Sequence, residues 1–187
     1  MNIIFFGAPA SGKGTQAKLL AQQGFLHLST GDMLRTEVAS GSNFGKTIHN
    51  IISEGKYVSD EIVDSLIAKN IETHKDKVFD GYPRTIAQVQ FLENALNKIN
   101  QRVDLVINFT VDAELLFNRI SKRYIEQGRS DDNPKTFKVR LSLYEENTIP
   151  VINYFKEKGL ITPVDGGANI DTVAKIITTH IGWTKSF

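Results

Sequence analysis

Gly7-Ala8-Pro9-Ala10-Ser11-Gly12-Lys13-Gly14-Thr15 lies between the apolar run Ile3-Ile4-Phe5-Phe6 and a helix-favouring segment, Lys13 to Gln22, that Gly24 stops. A glycine-rich turn leaving a buried strand and opening a helix is the place of a phosphate-binding loop. Glycines let successive backbone N–H groups face one anion, and the helix N-terminus adds about half a positive charge. Lys13 adds a full charge that reaches the β- and γ-phosphates. The N–H groups of Ala10, Ser11, Gly12, Lys13, Gly14 and Thr15 are therefore expected to hold a nucleoside triphosphate. The strict motif places a hydroxyl directly after the lysine; here Gly14 intervenes and the hydroxyl is on Thr15.

Outward from this loop, strands and helices alternate. Expected strands are Ile3–Phe6, Phe25–Leu28, Lys77–Asp80, Val103–Phe109 and Ile161–Val164. Expected helices are Lys13–Gln22, Asp32–Ser40, Phe44–Glu54, Asp60–Ile71 behind a Ser59 cap, Thr85–Ile99, a helix capped by Asp112 and running through Tyr124, Phe137–Lys158 and Thr172–Ile181. Pro150 should kink or split the long helix Phe137–Lys158. Gln127–Pro134 reads as a loop. The alternation predicts an α/β fold, a parallel sheet covered on both faces and joined by right-handed crossovers. Three helical stretches stand between the second and third strands where one crossover would serve, so residues 30–59 form a candidate subdomain.

The chain has 187 residues, which at roughly 150 residues per domain is a single domain. Hydrophobic residues make up 41% and charged residues 23%, a globular mix that excludes disorder. The net charge of +1 gives bulk electrostatic attraction to nucleic acid or membranes no support. Cysteine is absent, which excludes disulfides, thiol catalysis and Cys-based zinc sites. The N-terminus lacks the basic start of a signal peptide, and no long apolar run suggests a membrane span. A cytoplasmic protein is expected.

Other residues carry chemistry by type and place. Asp80 ends a strand beside the loop, where an acid commonly holds magnesium through water. Arg119 and Arg123 are four apart on one helix and share a face, either as an anion clamp or as a solvated basic surface. Asp131 and Asp132 read either as loop acids or as groups that orient Arg123 and Arg129. Gly12-Lys13-Gly14-Thr15-Gln16-Ala17, with Asp32 beyond it, also fits a dinucleotide fingerprint. But the strand ends at Gly7 and Asp32 follows a turn, which argues against a dehydrogenase. His27, His49, His74 and His180 show no metal spacing, and Trp183 reads as packing.

Gly7–Gln16 (GAPASGKGTQ), Ser29–Arg35 (STGDMLR), Asp80–Arg84 (DGYPR) with Thr85 and Gln88, and the Arg119/Arg123 pair together resemble the nucleoside monophosphate kinases, and among them the adenylate kinases, over nearly the whole chain. The resemblance implies a P-loop NTPase fold: a five-stranded parallel sheet, a helical NMP-binding insertion at 30–59 and a lid, here the short form at 122–132. It implies Mg2+-dependent transfer between ATP and AMP to give two ADP, by a monomer. It implies that Arg35 and Arg84 bind the AMP phosphate, that Arg119 and Arg123 meet ATP, and that Arg129 and Arg140 grip the transferring group. It places Thr30 and Gln88 at adenine, Lys56, Tyr57 and Val58 along its pocket with Gly81, Tyr82 and Pro83 beside them, and Ala168 at the ATP base. Arginine suits this work, being planar, bidentate and always charged.

Departures from the family pattern are visible too. Ala10 stands where a glycine is frequent, and Tyr124–Gly128 adds a few residues to the shortest lids. With no cysteine and no room for a lid domain, zinc is not expected. The alternatives are a UMP/CMP kinase, against which Thr30 and Thr85-Ile86-Ala87-Gln88 argue, and a nucleotide-binding module without turnover, against which the number of arginines argues.

Overall fold

The computed structural model describes residues 1–71, 76–128 and 132–182. Five strands, β1 (Asn2–Gly7), β2 (Leu26–Ser29), β3 (Lys77–Asp80), β4 (Leu105–Thr110) and β5 (Ile161–Asp165), pair in the order β2-β3-β1-β4-β5, every pair parallel. The loop-bearing strand is thus central, and the carboxyl ends of β1 and β3 lie side by side, with Phe5 in register with Asp80.

Side chains alternate across a strand, which explains why β1 is apolar at every position from Ile3 to Phe6. Ile3 and Phe5 pack with α1 (Lys13–Gln22) and α9 (Ile170–Ile181) through Ala17, Leu20, Val173 and Ile177. Ile4 and Phe6 face the other way, toward α4 (Asp60–Ala68), α5 (Ile86–Lys98) and α8 (Ile149–Glu157), through Ile67, Val89, Leu92, Val151 and Phe155. A strand buried on both sides reads as a continuous hydrophobic run. The five-stranded parallel sheet clothed by helices is the architecture expected from the alternation.

Between β2 and β3 the chain inserts α2 (Thr30–Ala39) and α3 (Asn43–Ser53) before α4. Helix α2 begins at Thr30, not Asp32, because Ser29 Oγ accepts from Asp32 N at 3.2 Å and so serves as the cap. Ser42 caps α3, Thr85 caps α5 and Asn169 caps α9 in the same way. Ser59 and Asp112 occupy cap positions, but neither side chain bonds a helix amide. Helix α6 (Ala113–Gln127) extends past Tyr124 to a left-handed Gly128.

The long helix expected over 137–158 begins earlier and divides in three. Helix α7 (Pro134–Leu143) starts on an Asn133 cap with Pro134 in its first turn. A π-helical turn, Tyr144–Thr148, then leads into α8, whose first turn holds Pro150. Proline has no N–H and its ring meets the carbonyl four residues back; the widened turn accommodates both without ending the rod. His74 and Trp183 lie outside the described residues. Among the described residues no helix is long and apolar enough to cross a membrane.

Phe155 is fully buried, its ring 5.9 Å from that of Phe6 and 5.2 Å from that of Tyr154. Phe155→Ala should lower the unfolding free energy by about 3–5 kcal/mol, read from urea titrations. A loss below about 1 kcal/mol would mean that α8 does not anchor this face of the sheet.

Candidate active site

A cleft of about 400 Å³ opens at the carboxyl ends of β1 and β3, where ligands bind in open parallel sheets. Its floor is the loop after β1. Gly12 sits at φ +100 as the cap residue of α1, and Ala10 is left-handed at φ +68. A left-handed alanine costs on the order of 1 kcal/mol more than glycine, a strain that the loop carries at Ala10.

Lys13 folds back over the loop. Its Nζ donates to Gly7 O at 2.7 Å, Ala8 O at 2.8 Å and Ser11 Oγ at 3.1 Å. Burial pushes its pKa down to about 7; Asp80 opposes that shift, while Arg84, Arg140 and Arg123 add to it. Asp80 faces the loop and His27, whose Nε2 lies 3.3 Å from Oδ2. Burial favours the neutral acid at Asp80, but the His27 hydrogen bond and the charges of Lys13, His27 and Arg84 outweigh it and hold the carboxyl below its ordinary range.

Arginines line the rest. Arg119 Nη1 donates to Gly166 O at 2.8 Å, beside Ala168 in the cleft wall. Arg123 and Arg140 converge on Asp132, which is fully buried: Arg123 bonds it through Nε and Nη2, and Arg140 Nη1 donates at 2.9 Å. Arg123 lies on α6 and Arg140 on α7, so one carboxylate spans the residues between the two helices. Arg84 stacks over the Tyr57 ring at 4.6 Å, and its Nε donates to Gly81 O at 2.7 Å. Gly81 has φ +75, and a Cβ there would come within 2.9 Å of Arg84 Nη2; the guanidinium occupies the space a side chain would take.

A smaller cavity of about 70 Å³ adjoins the cleft, walled by Thr30, Arg35, Lys56, Tyr57, Val58, Arg84 and Gln88 among others. Thr30 Oγ1 donates to Gly81 O at 3.0 Å. Arg35 pairs with Asp32 at 2.6 Å. The loop residues, Asp80, Arg35, Arg84, Arg119, Arg123, Arg140 and Ala168 are thus brought around one cleft, and the residues read for a base border the small cavity. Tyr82 lines neither: its ring is fully buried and its hydroxyl donates to Asp64 Oδ1 at 2.5 Å. Arg129, with Ser130 and Asp131, lies outside the described residues. Sequence reasoning gave His27, Tyr144 and Asp60 no part in the site; a histidine in an otherwise apolar strand, two residues before Ser29, was the available signal for the first.

A family model described as Adenylate kinase matches residues 5–160. The chain is similar to the adenylate kinase of Caulobacter sp. (strain K31), 47% identical over 178 residues that cover 93% of this chain and 94% of the relative. It is similar to that of Hyphomonas neptunium at 48%, with the same coverage. To that of Agrobacterium fabrum it is 42% identical, over 95% of both chains.

The Lys13 shift has a definite sign. Between pH of about 7 and the ordinary lysine value of 10.5, the unfolded chain holds a proton here that the folded chain has released. Stability relative to Lys13→Met should therefore rise with pH across that window, by at most about 1.4 kcal/mol per pH unit. Urea titrations of both proteins from about pH 6 to about pH 9 read it; a constant difference would show that the cation is not burdened by burial.

Proposed function

The chain belongs to the adenylate kinase family, a phosphotransferase family acting on nucleoside monophosphates, and from that premise we propose how its own residues perform the transfer of a phosphoryl group from ATP to AMP. The observation that carries this reading is the convergence of Lys13, Arg84, Arg119, Arg123 and Arg140 on the one cleft built over the loop.

The loop N–H groups and Lys13 hold the ATP phosphates, with Lys13 leaving the Gly7 and Ala8 carbonyls for the anion. The arriving charge also lifts the penalty on its ammonium. Arg119 and Arg123 meet ATP from α6, and Ala168 lies at its base through the main chain. Arg35 and Arg84 receive the AMP phosphate, with Thr30, Lys56, Tyr57, Val58 and Gln88 around its base. Arg140, with Arg129, takes the transferring group. The attacking atom is already an anionic phosphate oxygen, so alignment and charge neutralisation do the chemistry and no strong base is needed.

Asp80 suits the Mg2+ that the family implies. Its carboxylate is held ionised beside the loop. Among the described residues no three or more His, Cys, Asp or Glu gather to hold a metal by themselves, which fits an ion shared with substrate phosphates and water. Such an ion would offset phosphate charge; Asp80 would orient its water shell.

Two anions must meet away from water, so residues 30–59 and the lid at 122–132 close over the cleft. We further read a cytoplasmic monomer. Nothing among the relatives favours a UMP/CMP kinase.

Coupled ADP production from ATP and AMP tests the assignment. Arg84→Ala should lose on the order of 10³ or more in rate, by comparison with other charge-stabilising arginines. Near-normal turnover there would remove Arg84 from the site. Asp132→Asn should lose about 10² in kcat through misplacement of Arg123 and Arg140; a change in KM alone would assign the carboxylate to binding instead.

A further inference from the structure

Gln88 stands in the first turn of α5, in the wall of the small cavity, and is 3% exposed. A side-chain amide has two orientations that differ by exchange of oxygen and nitrogen, and its hydrogen-bond partners decide between them. Both partners here work in one direction only. The backbone N–H of Arg84 donates to Oε1 at 2.7 Å. The Asp60 carboxylate accepts from Nε2 at 2.6 Å, through Oδ1. A reversed amide would set N–H against N–H and oxygen against carboxylate, and would lose both bonds.

Asp60 is itself braced. Its other oxygen, Oδ2, accepts from Thr85 Oγ1 at 2.7 Å, and Thr85 Oγ1 accepts from Gln88 N at 3.2 Å as the cap of α5. Swinging the carboxylate away would disturb the helix start that carries Gln88. The start of α4 and the start of α5 are therefore tied through one acid. After these bonds the Gln88 amide retains one N–H and one lone pair, which meet no partner among the described residues.

We infer that Asp60 is the positioning residue for base selection: by accepting from Nε2 and bracing against Thr85, it fixes which end of the Gln88 amide donates and which accepts. An amide fixed in this order accepts from the 6-amino group of adenine and donates to its N1. The reversed order would serve hypoxanthine, which presents a 6-oxo group and an N1–H. Inosine monophosphate keeps the purine outline and changes only this order, so it isolates the effect; cytosine repeats adenine's order and does not. The inference rests on the reading given above that Gln88 faces the base of the acceptor nucleotide.

The test measures kcat and KM for AMP and IMP as acceptors in the full chain and in Asp60→Ala, Asp60→Asn and Gln88→Leu, with melting curves for each. In Asp60→Ala the AMP-over-IMP ratio of kcat/KM should fall about tenfold or more, the lower part of the range for a bidentate amide–base pair, mostly through a raised KM for AMP. Asp60→Asn still accepts from Nε2 and should restore most of the ratio. A ratio within about twofold of the parent in Asp60→Ala, while Gln88→Leu abolishes the preference, overturns the role of Asp60 and leaves Gln88 in place. An Asp60→Asn ratio as low as that of Asp60→Ala overturns it too. A preference that survives in Gln88→Leu overturns the underlying placement of Gln88 instead. Should Asp60→Ala melt early, Asp60→Ser keeps a small polar side chain shorter than the carboxylate that reaches Gln88, and the same ratio decides.

Discussion

A lysine ammonium held within a glycine-rich turn, in the field of three guanidinium groups, is the interaction on which the molecule turns. Lys13 is disfavoured as a cation by burial and by Arg84, Arg123 and Arg140 together. Two acids keep this concentration of charge from being untenable, and they act differently. Asp80 favours the lysine's charge and is itself kept ionised by the His27 hydrogen bond and by the charges of Lys13, His27 and Arg84. Asp132 acts on the arginines instead, holding Arg123 and Arg140 on a single buried carboxylate. Like charges gathered around one cleft are a standing demand for an anion, and the site gains most when its ligands bring several.

The fold supplies that arrangement economically. A parallel sheet gathers the carboxyl ends of its strands on one edge, and the central strand is the one with the glycine turn. Its neighbour β3 delivers Asp80, Gly81 and Arg84 within five residues of chain. The helices inserted after β2 close the far side, so the charged groups come from distant parts of the sequence without any long excursion of backbone.

Much of this was legible before any coordinates. Ile3–Phe6 read correctly as a doubly buried strand because an unbroken apolar run of that length, stopped by a glycine, fits little else, and the turn that follows has a spacing few loops share. Arg119 and Arg123 could be placed on one face by helical period alone, yet their target, the Gly166 carbonyl in one case and Asp132 in the other, lies on separate elements. Asp60 stood in the sequence only as the first residue of an expected helix. Its bonds to Thr85 and Gln88 depend on how α4 packs on α5, and no local pattern carries that. Ser59 and Asp112 misled in the opposite direction: they have the composition of caps, but neither side chain bonds a helix amide. The π-helical turn before Pro150 was half visible, since a proline announces interruption without saying how the backbone absorbs it.

Gly55 joins two of these regions. It sits at φ +76 just past α3, and a Cβ there would come within 2.8 Å of Thr136 O in the first turn of α7. The Asn133 cap and the start of α7 are thus pinned against the insertion. The far end of the connection, at Gly128, meets nothing where a Cβ would be. Room for added length is therefore one-sided. Extra residues placed directly after Gly128 would press on no contact of that glycine, at about 0.6 kcal/mol of closure entropy for each doubling of the connection's length. The same residues placed after Asn133 would pry apart a contact that leaves no slack. In any lineage that lengthens or trims this connection, the insertions should accumulate on the α6 side, while the Asn133–Thr136 corner and the glycine beneath it stay as they are.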